Sequence, residues 1–142
     1  MDYRTLTAPC GIDCFNCELL EGNITAEMQQ FLAQHLKKDP STIRCQGCRV
    51  SGCLLNSGEC ATRKCAAAKG VEFCHQCNEF PCRKLQPCLD GADRYPHNLK
   101  MFNLCRIRQV GLEKWAREES AEIRDRYKTG KLQVGSGPVV PE

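Results

Sequence analysis

The chain has 142 residues, thirteen of them cysteines, and a formal net charge of +3. Without the cysteines only about a third of the residues are apolar, so we expect one domain whose modest core is reinforced by cross-links. The N-terminus lacks the basic start and apolar run of a signal peptide, and no stretch approaches the ~18 apolar residues of a membrane span. We therefore expect a cytoplasmic protein with reduced thiols and no membrane partner.

The first cysteine cluster has the pattern C-G-x-x-C-x-x-C at Cys10, Gly11, Cys14 and Cys17. A C-x2-C pair places two thiolates on one tight turn, where both can bind the same tetrahedral cation. The glycine suits a turn that requires positive φ or close backbone approach. We interpret these three cysteines as metal ligands; a set of buried free thiols is the alternative.

A helix is predicted from Asn23 or Thr25 to Lys38, ending before Asp39-Pro40. Its predicted apolar face consists of Met28, Phe31, Leu32, His35 and Leu36. His35 is interpreted as a histidine packed at the edge of this face rather than as a ligand.

Eight of the cysteines lie between Cys45 and Cys82, and two further pairs, Cys45/Cys48 and Cys74/Cys77, repeat the C-x2-C spacing. Chance rarely produces this spacing three times, so the pattern strongly indicates metal binding. The predicted ligands are Cys10, Cys14, Cys17, Cys45, Cys48, Cys53, Cys60, Cys65, Cys74, Cys77 and Cys82. Cys53 and Cys88 are both plausible ligands that belong to no short pair, so they rank below the others, and Cys88 is not included in the predicted set.

One grouping of the ligands joins Cys14 and Cys17 to Cys45 and Cys48. It joins Cys60 and Cys65 to Cys74 and Cys77, and leaves Cys10 and Cys82 beside these sites or in a third one. His75, between two predicted ligands, is interpreted as a neighbour of the metal or as solvent-facing.

The segment from Ser41 to Cys65 is predicted to be mostly irregular. A short helix is predicted over Ala61 to Lys69, with Gly70 at its end. Another is predicted to open at Pro81 and run toward Gln86, and Phe80 is expected to pack beside the metal site.

A C-terminal helical pair is predicted over residues 96–128, with Pro96 at its start and a break at Gly111. The first helix is expected to bury Leu99, Met101, Phe102, Leu104 and Cys105. The second is expected to bury Leu112, Trp115, Ala116, Ile123 and Tyr127. The pairs Glu113/Arg117 and Glu122/Arg126 would support its outer side. Residues 129–142, rich in glycine and proline, are predicted to form a flexible tail.

Zinc is the leading metal, because all-thiolate tetrahedral sites with C-x2-C spacing are typical of structural zinc. The cysteines suffice for two or three ions. Each zinc held by four thiolates carries a net charge of about −2, so two such sites would change the charge from +3 to about −1. An iron–sulfur cluster in electron transfer or redox sensing is the alternative, because the same thiolates ligate clusters.

Enzyme classes find little support in the sequence. The run Cys10, Cys14 and Cys17 matches the cluster motif of radical S-adenosylmethionine enzymes, but the chain is too short for their barrel. It contains no Gly-rich phosphate loop and no βαβ context for a redox C-x2-C. We therefore favour a protein without catalytic activity and with no catalytic residues.

Nucleic-acid binding is not favoured either, because aromatic residues are scarce and basic residues near the cysteines can balance the thiolate charge. These basic residues are Arg44, Arg49, Arg63, Lys64, Lys69, Arg83 and Lys84. A protein partner that the sequence does not identify remains the expectation.

Several motifs in fixed order resemble the prokaryotic family known as domain of unknown function 3795. They are C-G-x-x-C-x-x-C at Cys10 to Cys17, C-x-G-C-R at Cys45 to Arg49, C-x-x-R-x-C-A at Cys60 to Ala66, K-G-V at Lys69 to Val71, C-x-x-C-x-E-F-P-C at Cys74 to Cys82, and a helical stretch from Asn98 to Trp115. The resemblance implies a cysteine-rich metal-binding protein without an established activity.

Together these features predict a small metal-stabilised, Cys-rich protein. It is mainly α, with irregular Cys-bearing loops and a C-terminal helical pair. Residues 1–128 form the single domain. The predicted function is that of a zinc-binding module with structural four-cysteine sites and a binding or regulatory role.

Overall fold

The computed structural model describes residues 1–56 and 59–139, and about half of the chain is helical. The α-helices are α1 (Ala26–Leu36), α2 (Ala61–Ala68), α3 (Leu99–Val110), α4 (Leu112–Lys114) and α5 (Ser120–Thr129). Single 3₁₀ turns lie at Cys14–Asn16, Pro40–Thr42, Cys74–Gln76, Arg83–Leu85 and Pro96–Asn98. None of the helices in these described ranges has the length and apolar character needed to cross a membrane.

Helix α1 confirms the first predicted helix but buries a different face. The Thr25 hydroxyl accepts a hydrogen bond from the backbone N–H of Met28, which caps the N-terminus. The buried residues are Leu32 and Ala33, which pack with Ile43. Met28 and Phe31 are 40% and 60% exposed. Their expected burial was wrong, because the loop around Ile43 covers only one narrow strip of the helix.

His35 is also exposed, and its ring stacks on Phe31 at 5.8 Å between ring centroids. The expectation that it packs at the edge of a buried face was therefore wrong. Its neighbour Phe31 lies on the solvent side of α1, so the two rings cover each other instead of entering the core.

Of the two short central helices predicted from the sequence, the described part of the chain contains only one. Helix α2 confirms the predicted helix before Gly70, whose φ is +63°. The helix predicted to open at Pro81 is instead a 3₁₀ turn at Arg83–Leu85, because Cys82 keeps an extended backbone. Ser41 to Cys65 is largely irregular as predicted, within the part that the structure describes; residues 57 and 58 lie outside it.

The C-terminal helical pair is confirmed, including its start and its break. Pro96 opens a 3₁₀ turn that leads into α3, and Gly111 ends α3 with φ +86°. Helices α4 and α5 are joined by a π-helical turn at Trp115–Glu119. The Glu113/Arg117 and Glu122/Arg126 pairs form with closest N–O distances of 3.4 and 2.8 Å.

Two side chains of α3 do not have the predicted burial. The helix buries Leu99, Asn103, Leu104 and Ile107, which share one face. Cys105 and Phe102 lie outside this face and are exposed. Cys105 is therefore a surface thiol and not a small core residue.

The N-terminal segment packs against α3 through a close backbone approach at Gly11. A Cβ added at Gly11 would lie 2.9 Å from both the Leu104 Cγ and the Lys100 carbonyl oxygen. The Asn103 side chain donates a 2.8 Å hydrogen bond to the Gly11 carbonyl from the same helix. Gly11 has φ +87°, so both the space and the backbone conformation require glycine.

A buried ion pair joins the same N-terminal segment to α5. Arg124 Nη1 lies 2.8 Å from Asp13 Oδ1, and both side chains are buried. Asn16 donates hydrogen bonds to Asp13 Oδ2 at 3.0 Å and to Ser120 Oγ at 3.1 Å. Burial raises the pKa of Asp13, and the positive charge of Arg124 opposes that shift. The network ties two segments that lie far apart in sequence.

The described part of the C-terminal tail forms two antiparallel strands, β1 (Lys131–Gln133) and β2 (Gly137–Val139). The sequence reading contained no strand here. Residues 140–142 lie outside the described residues, and the flexibility of the tail stays a prediction.

Candidate metal centre

All thirteen cysteines are free thiols in the structure. The reduced state expected from the sequence stays a prediction.

Two of the three C-x2-C pairs have the same backbone geometry. The Cys14–Asn16 and Cys74–Gln76 turns each end in a hydrogen bond from the second cysteine's N–H to the first one's carbonyl, at 3.0 and 3.1 Å. The N–H groups of Leu20 and Phe80 then donate to Cys17 and Cys77 carbonyls, both at 3.1 Å. This matched geometry fixes where each pair presents its sulfurs.

In both pairs a backbone N–H group also points at the sulfur of the second cysteine. Glu79 N–H donates to Cys77 Sγ at 3.5 Å. At Cys17, burial raises the pKa of the thiol, and the Leu19 N–H opposes that shift. A hydrogen bond donated to sulfur favours the thiolate, which is the form that ligates metal ions. Burial outweighs this effect at Cys17 and also raises the pKa of Cys74.

Four thiols line one small cavity, which we call the four-thiol cavity. They are Cys65 of α2, Cys74 and Cys77 of the C-x2-C pair at the Cys74–Gln76 turn (called the second turn below), and Cys82, which follows that turn. The cavity has a volume of about 30 Å³. Phe80 lies in its wall, as predicted from the sequence, and Lys69 pairs with Glu79 among the polar residues that line it.

The backbone around the four-thiol cavity is well anchored. Cys74 N–H donates a 2.8 Å hydrogen bond to the Pro9 carbonyl, which joins this turn to the N-terminal segment. The Gln76 side-chain oxygen accepts from Phe73 N–H at 2.9 Å. Burial, with smaller contributions from neighbouring thiolates such as Cys10, raises the pKa of Cys74 to about 11.

The first two pairs meet in a second group of cysteines. The Cys14 sulfur is hydrogen-bonded with the Cys48 thiol, and this bond is the main reason why the pKa of Cys14 falls to about 7. The same bond, together with burial, raises the pKa of Cys48. Cys45 forms an isolated bridge with Leu20, which follows the Cys17 turn. The structure thus brings Cys14 and Cys48 together, and the expected grouping of these two pairs around one metal ion stays a prediction.

For the second half of the expected grouping, the structure places a partly different set of thiols around one cavity. Cys82 lines the four-thiol cavity where Cys60 was expected. Cys60 is the residue before α2, while Cys65 lies on the helix, so only Cys65 is carried into the wall of the cavity. Cys53 is exposed. Cys10, like Cys74 and Cys82, packs against the buried cluster of Phe73, Leu85 and Leu104.

The sulfurs lie near one another without converging on a point. Within residues 1–56 and 59–139, no three or more His, Cys, Asp or Glu side chains are placed so that they hold a metal ion. The predicted ligands therefore stay a prediction. Coordination would require thiols of each group to turn toward a common centre.

Basic residues near the cysteines hold the loops in place. Arg49 donates 2.7 Å hydrogen bonds to the Thr7 and Glu72 carbonyls and lies over the Phe73 ring. Arg63 donates a 2.8 Å hydrogen bond to the Cys48 carbonyl. These cations thus sit close to the thiol groups, where they can also offset thiolate charge.

The ring of His75 stacks on the ring of Phe73, with 5.8 Å between the ring centroids. Its Nε2 atom is buried and has no hydrogen-bond partner among the described residues. Burial lowers the pKa of His75, so the neutral ring is favoured. It follows Cys74 in sequence but does not line the four-thiol cavity, and its position beside a metal ion stays a prediction.

Sequence reasoning did not find two polar contacts that the fold creates. One is the Asp13–Arg124 pair, whose members are 111 residues apart. The other joins Cys88 and His97, whose Sγ and Nε2 atoms lie 3.3 Å apart. In neither pair do the two residues lie close enough in sequence to form a recognisable motif.

Comparison with known families places this arrangement in context. A family model described as "Protein of unknown function (DUF3795)" matches residues 6–87. The chain belongs to the DUF3795 family. The matched range contains all eleven predicted ligands and the four-thiol cavity. No curated protein matches the chain, and no solved structure does.

Proposed function

We propose that this DUF3795 protein is a cytoplasmic zinc-binding module that acts through binding or regulation and not through catalysis. The observation that carries the proposal is the four-thiol cavity, which brings together Cys65, Cys74, Cys77 and Cys82. Four thiols are the donor set of structural zinc sites. The second group, around the Cys14 and Cys48 sulfurs, is the candidate for another zinc ion.

The donor chemistry fits zinc, and the local backbone supports it. Zinc is held by thiolates about 2.3 Å from the ion, in a closed tetrahedron that leaves no position for a substrate. The matched C-x2-C turns and the Glu79 N–H that points at Cys77 Sγ would supply two of the four ligands in the cavity. Coordination would also require the Cys65 and Cys82 thiols, which line the same cavity, to turn toward this pair.

Zinc in the four-thiol cavity would join three separate elements. Cys65 lies on α2, Cys74 and Cys77 lie on the second turn, and Cys82 precedes the Arg83–Leu85 turn. Helix α2 has eight residues and buries only Ala66 in its interior. A metal cross-link would therefore provide stability that apolar packing of this helix does not supply.

Zinc binding to the cavity is tested by titrating chelator-treated protein with Zn²⁺ under anaerobic conditions and recording the melting temperature. We expect Zn²⁺ to raise it in the wild type. The Cys74→Ser/Cys77→Ser variant should lose most of that rise. The matched control is Cys88→Ser/Cys105→Ser, which removes two exposed thiols outside the predicted set and should respond like the wild type. An equal response of both variants would reject this site.

An iron–sulfur cluster is the second candidate because the same thiolates ligate clusters. Cys10 packs against the same core residues as Cys74 and Cys82, so a further thiol lies in this region. Purified protein that is brown and contains iron and sulfide would favour the cluster; a colourless protein with zinc would favour the single ion.

A further inference from the structure

The described segment between the Arg83–Leu85 turn and α3 contains a cysteine–histidine pair that the zinc proposal does not use. Cys88 Sγ lies 3.3 Å from His97 Nε2, and Cys88 is exposed. Neither residue belongs to the predicted metal ligands. The pair therefore needs an explanation of its own.

The loop is built so that the two side chains stay together. Asn98 clamps the backbone of Cys88 from both sides: Cys88 N–H donates to Asn98 Oδ1 at 3.0 Å, and Asn98 Nδ2 donates to the Cys88 carbonyl at 2.9 Å. The Tyr127 hydroxyl of α5 donates a 2.9 Å hydrogen bond to the Ala92 carbonyl in the middle of the loop. The contact is thus held by the fold and does not rely on two mobile side chains.

The same geometry favours one tautomer of His97. Its Nε2 atom is 3.1 Å from the Cys88 carbonyl oxygen, which can only accept a hydrogen bond. In the tautomer with the hydrogen on Nε2, this N–H group faces both the carbonyl oxygen and the sulfur. An N–H donor stabilises a thiolate more than a thiol, because hydrogen bonds to charged groups are the stronger ones. The competing contact from Cys88 Sγ to the Asp90 carbonyl is long, at 3.9 Å.

We propose that Cys88 is a reactive thiol, activated by His97, that forms mixed disulfides with small disulfides. The Cys88 thiolate attacks one sulfur of the small disulfide, and a new S–S bond forms as the old one breaks. The other half leaves as a thiolate and takes a proton from water. Cys88 is oxidised, the small disulfide is reduced, and no other oxidant is required. An exposed sulfur is what such a reaction needs.

Cys105 provides an internal comparison. It is also exposed, lies outside the predicted ligand set, and has no histidine hydrogen-bonded to it in the described part of the chain. Trypsin releases Cys88 in the peptide Leu85–Arg94 and Cys105 in Met101–Arg106, each with a single cysteine. The modification of both thiols can therefore be followed by mass spectrometry in the same sample.

The expected effect follows from the hydrogen bond to the attacking sulfur. An N–H group that faces the Cys88 sulfur interacts more strongly with its charged form than with the neutral thiol. The lower nucleophilicity of a stabilised thiolate offsets part of the gain. We expect glutathione disulfide at pH 7 to modify Cys88 about three- to tenfold faster than Cys105 in the zinc-loaded, full-length protein.

Two variants distinguish an effect of His97 on the reaction rate of Cys88 from an effect of the solvent exposure of Cys88. His97→Ala should bring the Cys88 rate to within about twofold of the Cys105 rate, because the N–H donor is lost. The matched control is His35→Ala, which removes an exposed histidine on α1 and should leave the ratio unchanged. In urea the two thiols should react equally in all three proteins, since nothing then holds His97 against Cys88.

Two results would overturn the proposal: equal rates for Cys88 and Cys105 in the folded wild type, or an unchanged ratio in His97→Ala. Zinc content measured on the same samples keeps this test separate from the metal proposal, because Cys88 and His97 are not among the proposed ligands.

Discussion

Arg124→Met is expected to destabilise the protein strongly, because it leaves the Asp13 carboxylate buried without its cation. The Nη1–Oδ1 distance is 2.8 Å, and the Arg124 and Asp13 side chains are 8% and 1% exposed. Removal of one partner from a buried ion pair costs about 3–5 kcal/mol. Asn16 still donates to Asp13 in the variant, so we expect the lower end, about 3 kcal/mol.

The loss can be measured by urea unfolding and by thermal melting, both followed by circular dichroism. Unfolding entropy of about 2.1 cal/mol/K per residue gives about 0.3 kcal/mol/K for a chain of this length. A loss of 3 kcal/mol therefore lowers the melting temperature by about 10 °C. The matched control is Arg126→Met on the same helix. Arg126 forms an exposed pair with Glu122 at 2.8 Å, and its loss should cost only about 0.3–0.5 kcal/mol.

A double variant separates the ion pair from the other contacts of Arg124. In Asp13→Asn/Arg124→Met both charges are gone. The stability lost in this double variant should therefore be smaller than the sum of the two single losses, by about 2 kcal/mol or more. The reasoning is refuted if Arg124→Met costs no more than Arg126→Met, or if the two single effects are additive.

Three further changes test the packing and electrostatics of the N-terminal segment. Gly11→Ala should lower the free energy of unfolding, measured in urea, by about 1–3 kcal/mol, because its Cβ would meet Leu104 at 2.9 Å. The control Gly22→Ala, whose Cβ would lie in open space, should lower it by under about 0.5 kcal/mol. Leu104→Ala should cost about 2–5 kcal/mol, since this side chain is fully buried; a loss below 1 would contradict its core position. Burial raises the pKa of Glu18, but the hydrogen bond from Lys128 acts in the opposite direction. The pKa of Glu18 is lowered overall to about 2, from an ordinary value of 4.5. The wild type should therefore be more stable than Glu18→Gln above pH 4.5 and lose this advantage as pH falls toward 2. Because the Glu18 side chain is 55% exposed, the advantage is at most about 1 kcal/mol, and a pH-independent difference would contradict it.

Local sequence signals predicted most of the helices. Thr25 is a capping residue, Pro96 suits the first turn of a helix, and Gly111 allows a positive φ, so each marks a boundary through its own chemistry. These boundaries depend on one or two residues and their immediate neighbours. The structure has them close to where the sequence predicts them.

Burial was harder to predict, because it depends on what the rest of the chain brings to each helix. Phe31 and Leu32 are adjacent and equally apolar, yet only Leu32 meets the loop that contains Ile43. Cys105 and Leu104 show the same effect on α3. Helical periodicity gives the candidate faces but does not choose between them when apolar residues cover more than one.

The sequence was sufficient to predict which cysteines form tight turns in the candidate site. It was not sufficient to predict which cysteines the fold brings together. C-x2-C spacing identified Cys74 and Cys77 because it acts over a single turn. The choice of Cys82 over Cys60 depends on the direction of α2 and of the chain after Phe80, which no spacing encodes. For the same reason the contacts Asp13–Arg124 and Cys88–His97 had no sequence signature.

The central claim, that these cysteines hold zinc, is tested most directly by elemental analysis of the full-length protein purified anaerobically without chelator. The account predicts two or three zinc ions per chain, about one fewer in Cys74→Ser/Cys77→Ser, and no change in Cys88→Ser/Cys105→Ser. Wild-type protein without bound zinc, whose melting temperature is also unaffected by a chelator, would contradict it.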